Sequence, residues 1–327
     1  MPKEAAHWIL AEQTWQAMPE GLLKTEIQGN KALYYLGAVA FDTPYYALTG
    51  QNRSNLIAAA TRLHGYSASA PFNPLGPLAK SAEVLPEGYG PFVAGSLTHV
   101  AADAVFHPPI FYFSGNDKDV PANQAARATT RHRRLESALD LHLISQNGNA
   151  SFRNLRLIDL YQHRENEESA FLKLLNLLYF GKILATNSSL KLTVWQHALI
   201  HFLIKQRRIH QFLGLFDILY PRLVRRFQPI EALFYATCQE SDPRFFQRPL
   251  HYRHPLTGEE YTESVSSLQD RTVALACEFL ERIDNAYSQT EFKKRLAGVA
   301  FPSLYSGLSP DRSHKMSFFD NLHILDL

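Results

Sequence analysis

The sequence predicts an all-α fold, a multi-helix bundle with additional C-terminal helices, and three observations predict it. Apolar residues recur at three- and four-residue spacing through most of the 327 residues, while sustained period-two alternation with β-branched residues is scarce. Ordinary helix stop signals punctuate that pattern: Met18-Pro19-Glu20-Gly21, Asp42-Thr43-Pro44, Asn147-Gly148-Asn149 and the stretch DPRFFQRPLHYRHPLTGEE at 242–260. Finally, a chain with 46% hydrophobic and 20% charged residues can bury one large core or two modest ones.

In order, the periodicity predicts helices over about 4–17, 30–40, 51–65, 89–107, 121–146, 151–163, 166–185, 190–213, 215–224, 228–238, 266–285 and 289–297. Two connections stand out for length. SASAPFNPLGPLAKSAEVLPEG at 67–88 holds four prolines, and PPIFYFSGNDKDVP at 108–121 starts directly after His107. Loops this long within a compact domain tend to be functional. A soft boundary near 148 separates a helical core, 1–148, expected to bind metal, from Leu-rich helices in 149–327 expected to pack on it. Segments such as SAFLKLLNLLYFGKIL and LTVWQHALIHFLIKQ are apolar nearly all round, which suits burial, a dimer interface or a lid.

Lys and Arg number 33 against 31 Asp and Glu, a formal charge of +2, which removes the general electrostatic case for binding nucleic acid or an anionic membrane. The runs RHRR (131–134) and KQRRIH (205–210) read as solvated helix faces. Cys238 and Cys277 are too few for a disulfide framework, so a reducing compartment is expected. MPKEAAHWILAEQTW shows no secretory apolar core, and no segment reaches the roughly 18 apolar residues of a membrane span; a cytoplasmic protein is the expectation.

The chemistry concentrates early. GSLTHVAADAVFHP (95–108) places His99, Asp103 and His107 at four-residue intervals. Each such step turns a helical side chain by roughly 40°, so all three project from one face. His132 and Glu136 in RHRRLESALD repeat the spacing, and His7, Asp42 and His64 stand singly at or near helix ends. Ionisable groups among Ala, Val and Phe need partners if buried, and a metal ion provides them: imidazole nitrogens and carboxylate oxygens are the usual ligands of zinc. Helical bundles bind paired metals in this way. His197 and His201 are also four apart, but with no carboxylate on their face they read as packing residues, and His251-Tyr252-Arg253-His254 lies in a predicted loop.

GSLTHVAADAVFHP resembles the G-x-L-x-H-x-x-x-D-x-x-x-H-P segment of bacterial zinc-dependent phospholipase C, a fold shared more distantly with nucleases of the S1/P1 type. LGAVAFDTPYY is similar to that family's G-A-x-x-P-D element, with Phe41 at the usual proline; RHRRLESALD resembles its H-x-x-x-E helix and EAAHWILAE its N-terminal helix. The likeness covers roughly 1–145. It implies that Asp42, His64, His99 and Asp103 hold one zinc and that His107, His132 and Glu136 hold a second, with Asp103 bridging towards a third ion through His7. The secreted enzymes complete the third site with a processed N-terminal tryptophan. Here Trp8 follows the histidine, which favours a two-zinc centre.

The implied activity is metal-assisted hydrolysis of a phosphate ester, with a water acidified towards about pKa 7 and Asp42 as ligand or proton acceptor. Phe111 and Tyr112 are expected to line a substrate pocket, and Arg133, with Arg131 and Arg134, to meet a phosphate. The substrate is expected to be a small phosphodiester or a phospholipid. A competing reading is a non-catalytic helical interaction protein with a structural or degenerate zinc cluster. A phosphohydrolase of the His-Asp type is disfavoured because no His-Asp dipeptide occurs.

Overall fold

The computed structural model describes residues 3–50, 52–66, 68–116, 120–146, 148–161, 165–183, 188–206, 208–209, 211, 232–235, 245–286, 288–310 and 316–320. Helices dominate it: α1 (Glu4–Ala17), α2 (Leu22–Gly29), α3 (Lys31–Val39), α4 (Arg53–Leu63), α5 (Gly76–Ala79), α6 (Tyr89–Ser114), α7 (Ala122–Ser145), α8 (Leu157–Tyr161), α9 (Glu165–Phe180), α10 (Ser188–Ile204), α11 (Val265–Glu281) and α12 (Gln289–Ala297). Thr43–Tyr46 forms a 3₁₀ turn, and β1 (Leu250–Arg253) pairs antiparallel with β2 (Glu260–Glu263). The fold is all-α, as the periodicity predicts.

The axis of the bundle is α6. It is apolar all round, as a helix must be when it is enclosed on every side, and α1, α3, α7 and α11 pack around it. The closest approach is to α3. An added Cβ on Gly95 would fall 1.9 Å from the carbonyl oxygen of Tyr34, and one on Gly37 2.1 Å from that of Phe92, so the two backbones touch. One continuous core joins side chains from α1 to α12.

Several local expectations need correction. Residues 108–114 are not loop: α6 runs through Pro108 and Pro109 to Ser114. Prolines free the carbonyls one turn back, at Ala104 and Val105. The backbone of Gly307, with φ +67°, lies so close to the Ala104 carbonyl that a Cβ there would sit 2.2 Å away. Tertiary packing around both buried prolines outweighs their local penalty. The predicted helix over 151–163 divides into a 3₁₀ turn, Ala150–Arg153, and α8. Helix α2 follows the Met18–Gly21 stop directly, burying Leu23 and Ile27 one turn apart. The 190–213 helix ends at Ile204. The predicted helix 215–224, most of 228–238, and Cys238 lie outside the described residues.

The segment after α12 matters more than its irregularity suggests. Phe301 N–H donates to the Phe72 carbonyl at 2.8 Å and Leu304 N–H to the His64 carbonyl at 3.0 Å, laying the chain across the C-terminal end of α4 and onto α6.

Candidate metal centre

Five elements each bring part of one buried polar cluster. His7 sits in the first turns of α1, whose buried N-terminal amides at Ala5 and Ala6 donate to the Asp140 carboxylate of α7 at 3.3 and 2.8 Å. Asp42 follows α3 at the head of the 3₁₀ turn, and His64 ends α4. α6 carries His99, Asp103 and His107, and α7 carries His132 and Glu136.

All eight sequence-expected residues come together. Their donor atoms group as His7, His99 and Asp103; Asp42, His64 and His99; and His107, His132 and Glu136. Asp103 is the hub. Its Oδ2 lies 3.4 Å from His64 Nε2, 3.2 Å from His99 Nε2 and 3.9 Å from His107 Nε2, while its Oδ1 faces His7 Nε2 at 3.6 Å. Asp42 is divided in the same way, with Oδ1 3.2 Å from His64 Nε2 and 3.8 Å from His99 Nε2, and Oδ2 3.7 Å from His7 Nε2. His132 Nε2 meets Glu136 Oε1 at 2.8 Å.

Whether a cation fits is decided by what these atoms lack. His7 Nε2, Asp42 Oδ1, His64 Nε2, His99 Nε2, both oxygens of Asp103 and His107 Nε2 are buried without a hydrogen bond, although they face one another. That would cost several kcal/mol as an apolar enclosure. In three of the four rings the other nitrogen is anchored: Nδ1 of His64 to the Ala60 carbonyl and Nδ1 of His99 to the Ala38 carbonyl, both at 2.8 Å, and Nδ1 of His107 to the Leu304 carbonyl; both ring nitrogens of His7 are buried without a hydrogen bond. A carbonyl accepts only from N–H, so in the neutral rings of His64, His99 and His107 the Nε2 lone pair turns into the cluster, as in a histidine that ligates a metal. The spacing agrees too. Ligands about 2.0–2.1 Å from a tetrahedral zinc stand about 3.3 Å apart, and the four atoms from Asp42, His64, His99 and Asp103 are separated by 3.2–3.8 Å along the contacts above.

The electrostatics are those of a site missing positive charge. Burial, then the stacked His99 ring, pushes His7 down to about 3, and burial takes His107 to about 3, so both rings are neutral at physiological pH. Burial alone would raise Asp103, but His107, His99 and His64 hold it well below the usual carboxylate range. His64, which burial alone would lower, is instead raised well above the usual imidazole range by Tyr45 and by the Asp103 and Asp42 carboxylates. A bound cation would replace that proton.

The periphery contains residues that sequence reasoning missed. Tyr305 packs against His107, His64 and Phe111 with ring centroids 6.1, 6.2 and 5.7 Å away, and Tyr45 lies 5.5 Å from His64. No helical spacing marks Tyr305 or Leu304. His197 is not merely packed, nor is it without a carboxylate: its Nε2 meets Glu4 Oε1 of α1 at 2.8 Å, and its Nδ1 meets Thr43 Oγ1 at 3.2 Å. Tyr46 stacks on His197 and donates to the same Glu4 oxygen at 2.7 Å. This network clamps the turn beginning at Asp42 between α1 and α10. An acidic residue one turn before His7 was the only sequence signal for it.

Of the expected substrate residues, Phe111 lies beside the second group, 5.3 Å from His107 and 4.8 Å from His132. Tyr112 points elsewhere, toward Tyr252 of the hairpin. Arg133 is half-buried and acts electrostatically on Tyr46, while Arg131 Nε donates to the Ser114 carbonyl at 2.8 Å, at the end of α6. Solvent reaches the cluster on one side, where the side chains of Asp42, His132 and Glu136 are 10, 16 and 8% exposed.

No helix among the described residues is long and apolar enough to cross a membrane. The model of the family described as zinc dependent phospholipase C matches residues 6–188. Neither the curated proteins nor the solved structures yield a match.

Proposed function

The chain belongs to the zinc-dependent phospholipase C family, and on that premise we propose that it is a metal-dependent hydrolase of phosphate esters, a phosphodiesterase with a two-zinc centre. Asp42, His64, His99 and Asp103 would hold one ion and His107, His132 and Glu136 the other. His7, with the outer oxygens of Asp42 and Asp103, offers a place for a third. Residues 1–148 would supply every one of these ligands, and Leu304 and His197 from the later part would brace them. The observation that supports this most is the set of buried Nε2 and carboxylate oxygens left without hydrogen bonds while Nδ1 of His64, His99 and His107 is tied to a carbonyl.

When bound, zinc supplies a Lewis acid for the phosphoryl oxygens and lowers the pKa of water to about 7. The protein's own part follows from position. Asp42 is the most exposed residue of the first group, so it is placed to accept a proton from the attacking water. Its orientation is set by the Thr43–His197–Glu4–Tyr46 network. Phe111 and Tyr305 form an apolar wall that excludes bulk water from the His107 side. The open edge at Asp42 and His132 favours a catalytic over a closed structural centre. Low cysteine content and the free thiol of Cys277 support a reducing, cytoplasmic setting.

The test is elemental analysis of the purified protein together with hydrolysis of a chromogenic phosphodiester. About two zinc ions per chain are expected, with loss of both metal and rate in His99→Ala. Unchanged metal content and rate in that variant would overturn the proposal.

A further inference from the structure

Helix α10 is apolar on nearly every side, yet only one side is covered. Leu190, Val194, His197, Ala198, His201 and Ile204 are buried against the bundle. On the outward side Leu192, Trp195, Leu199 and Phe202 are 42, 39, 56 and 43% exposed. Successive steps of three, four and three residues align them in one stripe along the helix. Leu48, 57% exposed, extends the stripe, because its N–H donates to Gln196 Oε1 at 3.0 Å and Gln196 Nε2 donates to Thr49 Oγ1 at 2.7 Å. Five of the seven large exposed hydrophobic residues among those described lie here, so the pattern is a patch and not ordinary scatter.

We propose that this stripe docks the protein on the surface of an anionic lipid bilayer and presents the metal centre to phospholipid headgroups. Charge selects the occupant. From Ser188 to Gln211 the sequence has no Asp or Glu and four cations, of which Lys191 and Arg208 are exposed while Lys205 donates to the Arg153 and Leu155 carbonyls at 3.2 and 2.8 Å. An apolar face flanked by cations, with a tryptophan in it, is the composition of a helix lying in a bilayer interface. Area speaks against a second copy of the chain. Five large side chains about half exposed present on the order of 500 Å², short of the roughly 800 Å² per partner of a stable protein interface. Continuity places the patch usefully: α10 packs on the 3₁₀ turn that begins after Asp42, the open edge of the metal cluster.

The inference rests on the hydrolase reading for its purpose, and the experiment separates the two. The full chain is sedimented with phosphatidylcholine vesicles with and without phosphatidylglycerol, and the double variant Leu199→Ser/Phe202→Ser is compared with the parent. Both proteins are also assayed on a soluble chromogenic phosphodiester, and their thermal midpoints are measured. Binding to the anionic vesicles is expected, weakened by salt, and reduced about tenfold or more in the double variant, with the midpoint and the rate on the soluble diester unchanged. A blue shift of fluorescence on adding vesicles is expected in the parent and absent in Trp195→Phe. Failure of the parent to bind anionic vesicles, equal binding by the double variant, or a parent dimer that the double variant dissolves would overturn the docking surface. Vesicle binding without hydrolysis of any phosphodiester would leave the surface standing and sink the hydrolase reading alone.

Discussion

Replacing Gly95 by alanine should dismantle the metal cluster from a distance. The new Cβ would start 1.9 Å from the Tyr34 carbonyl oxygen and 2.8 Å from the Ala38 nitrogen, both backbone atoms of α3, so no side chain can swing aside. Ordinary contact begins at 3.4 Å, which demands that α3 and α6 separate by about 1.5 Å. α3 carries the Ala38 carbonyl that fixes His99 Nδ1 at 2.8 Å and leads into Asp42. Metal–ligand distances tolerate about 0.2 Å, so a shift several times larger should empty the first group even if the chain folds. Overpacking itself costs about 1–3 kcal/mol, or roughly 2 °C of midpoint per kcal/mol at this chain length. The matched control is Gly29→Ala, where nothing lies within 4 Å of the added carbon and no loss is expected. Zinc content and calorimetric midpoint are the readouts. Full zinc retention with an unshifted midpoint in Gly95→Ala would refute the claim that glycine contact between α3 and α6 sets the ligand geometry.

Three further outcomes follow from the same geometry. Chelation should lower the thermal midpoint and zinc restore it, because a ligand bound at 1,000 times its dissociation constant adds about 4 kcal/mol; an identical midpoint with and without chelator would contradict a buried cation site. Gly307→Ala combines φ +67° with a Cβ 2.2 Å from the Ala104 carbonyl, so it should shift Leu304 off His107 and remove about one zinc per chain while sparing the other; elemental analysis reads this directly. Burial raises Asp140 from 3.8 to about 6, so the folded state holds a proton that the unfolded chain has released. Stability of the metal-free protein should therefore fall as pH rises from about 4 to about 6, by about 3 kcal/mol in all. The difference between parent and Asp140→Asn in urea unfolding at the two ends of that window measures it, and a pH-independent difference would refute the assignment.

Which parts of the site could be seen in advance depended on how each residue is held. His99, Asp103 and His107 are legible because one helix fixes their angular spacing, and His132 with Glu136 for the same reason. Asp42 and His64 are single residues at element ends, and only the family-like order of motifs linked them to the rest. Leu304 and Tyr305 carry no periodic signal; their positions come from an irregular segment held by backbone bonds to His64 and Phe72. The Pro108-Pro109 pair misled because a local steric rule was applied where burial and the Gly307 contact prevail. His197 read as packing because its carboxylate partner, Glu4, is 193 residues away in sequence. The apolar stripe of α10 was visible as composition, but which side faces water is decided by neighbours from other elements.

The bond from His107 to the Leu304 carbonyl spans 197 residues and so imposes an order on biosynthesis. At about 5–20 residues per second, Leu304 is added about 10–40 s after His107. A nascent chain can bring together His7, Asp42, His64, His99 and Asp103 long before the carbonyl that orients His107 exists. Loading of the two halves of the centre would then be sequential, the inner half filling while the ribosome is still translating and the outer half only after Leu304 has been added.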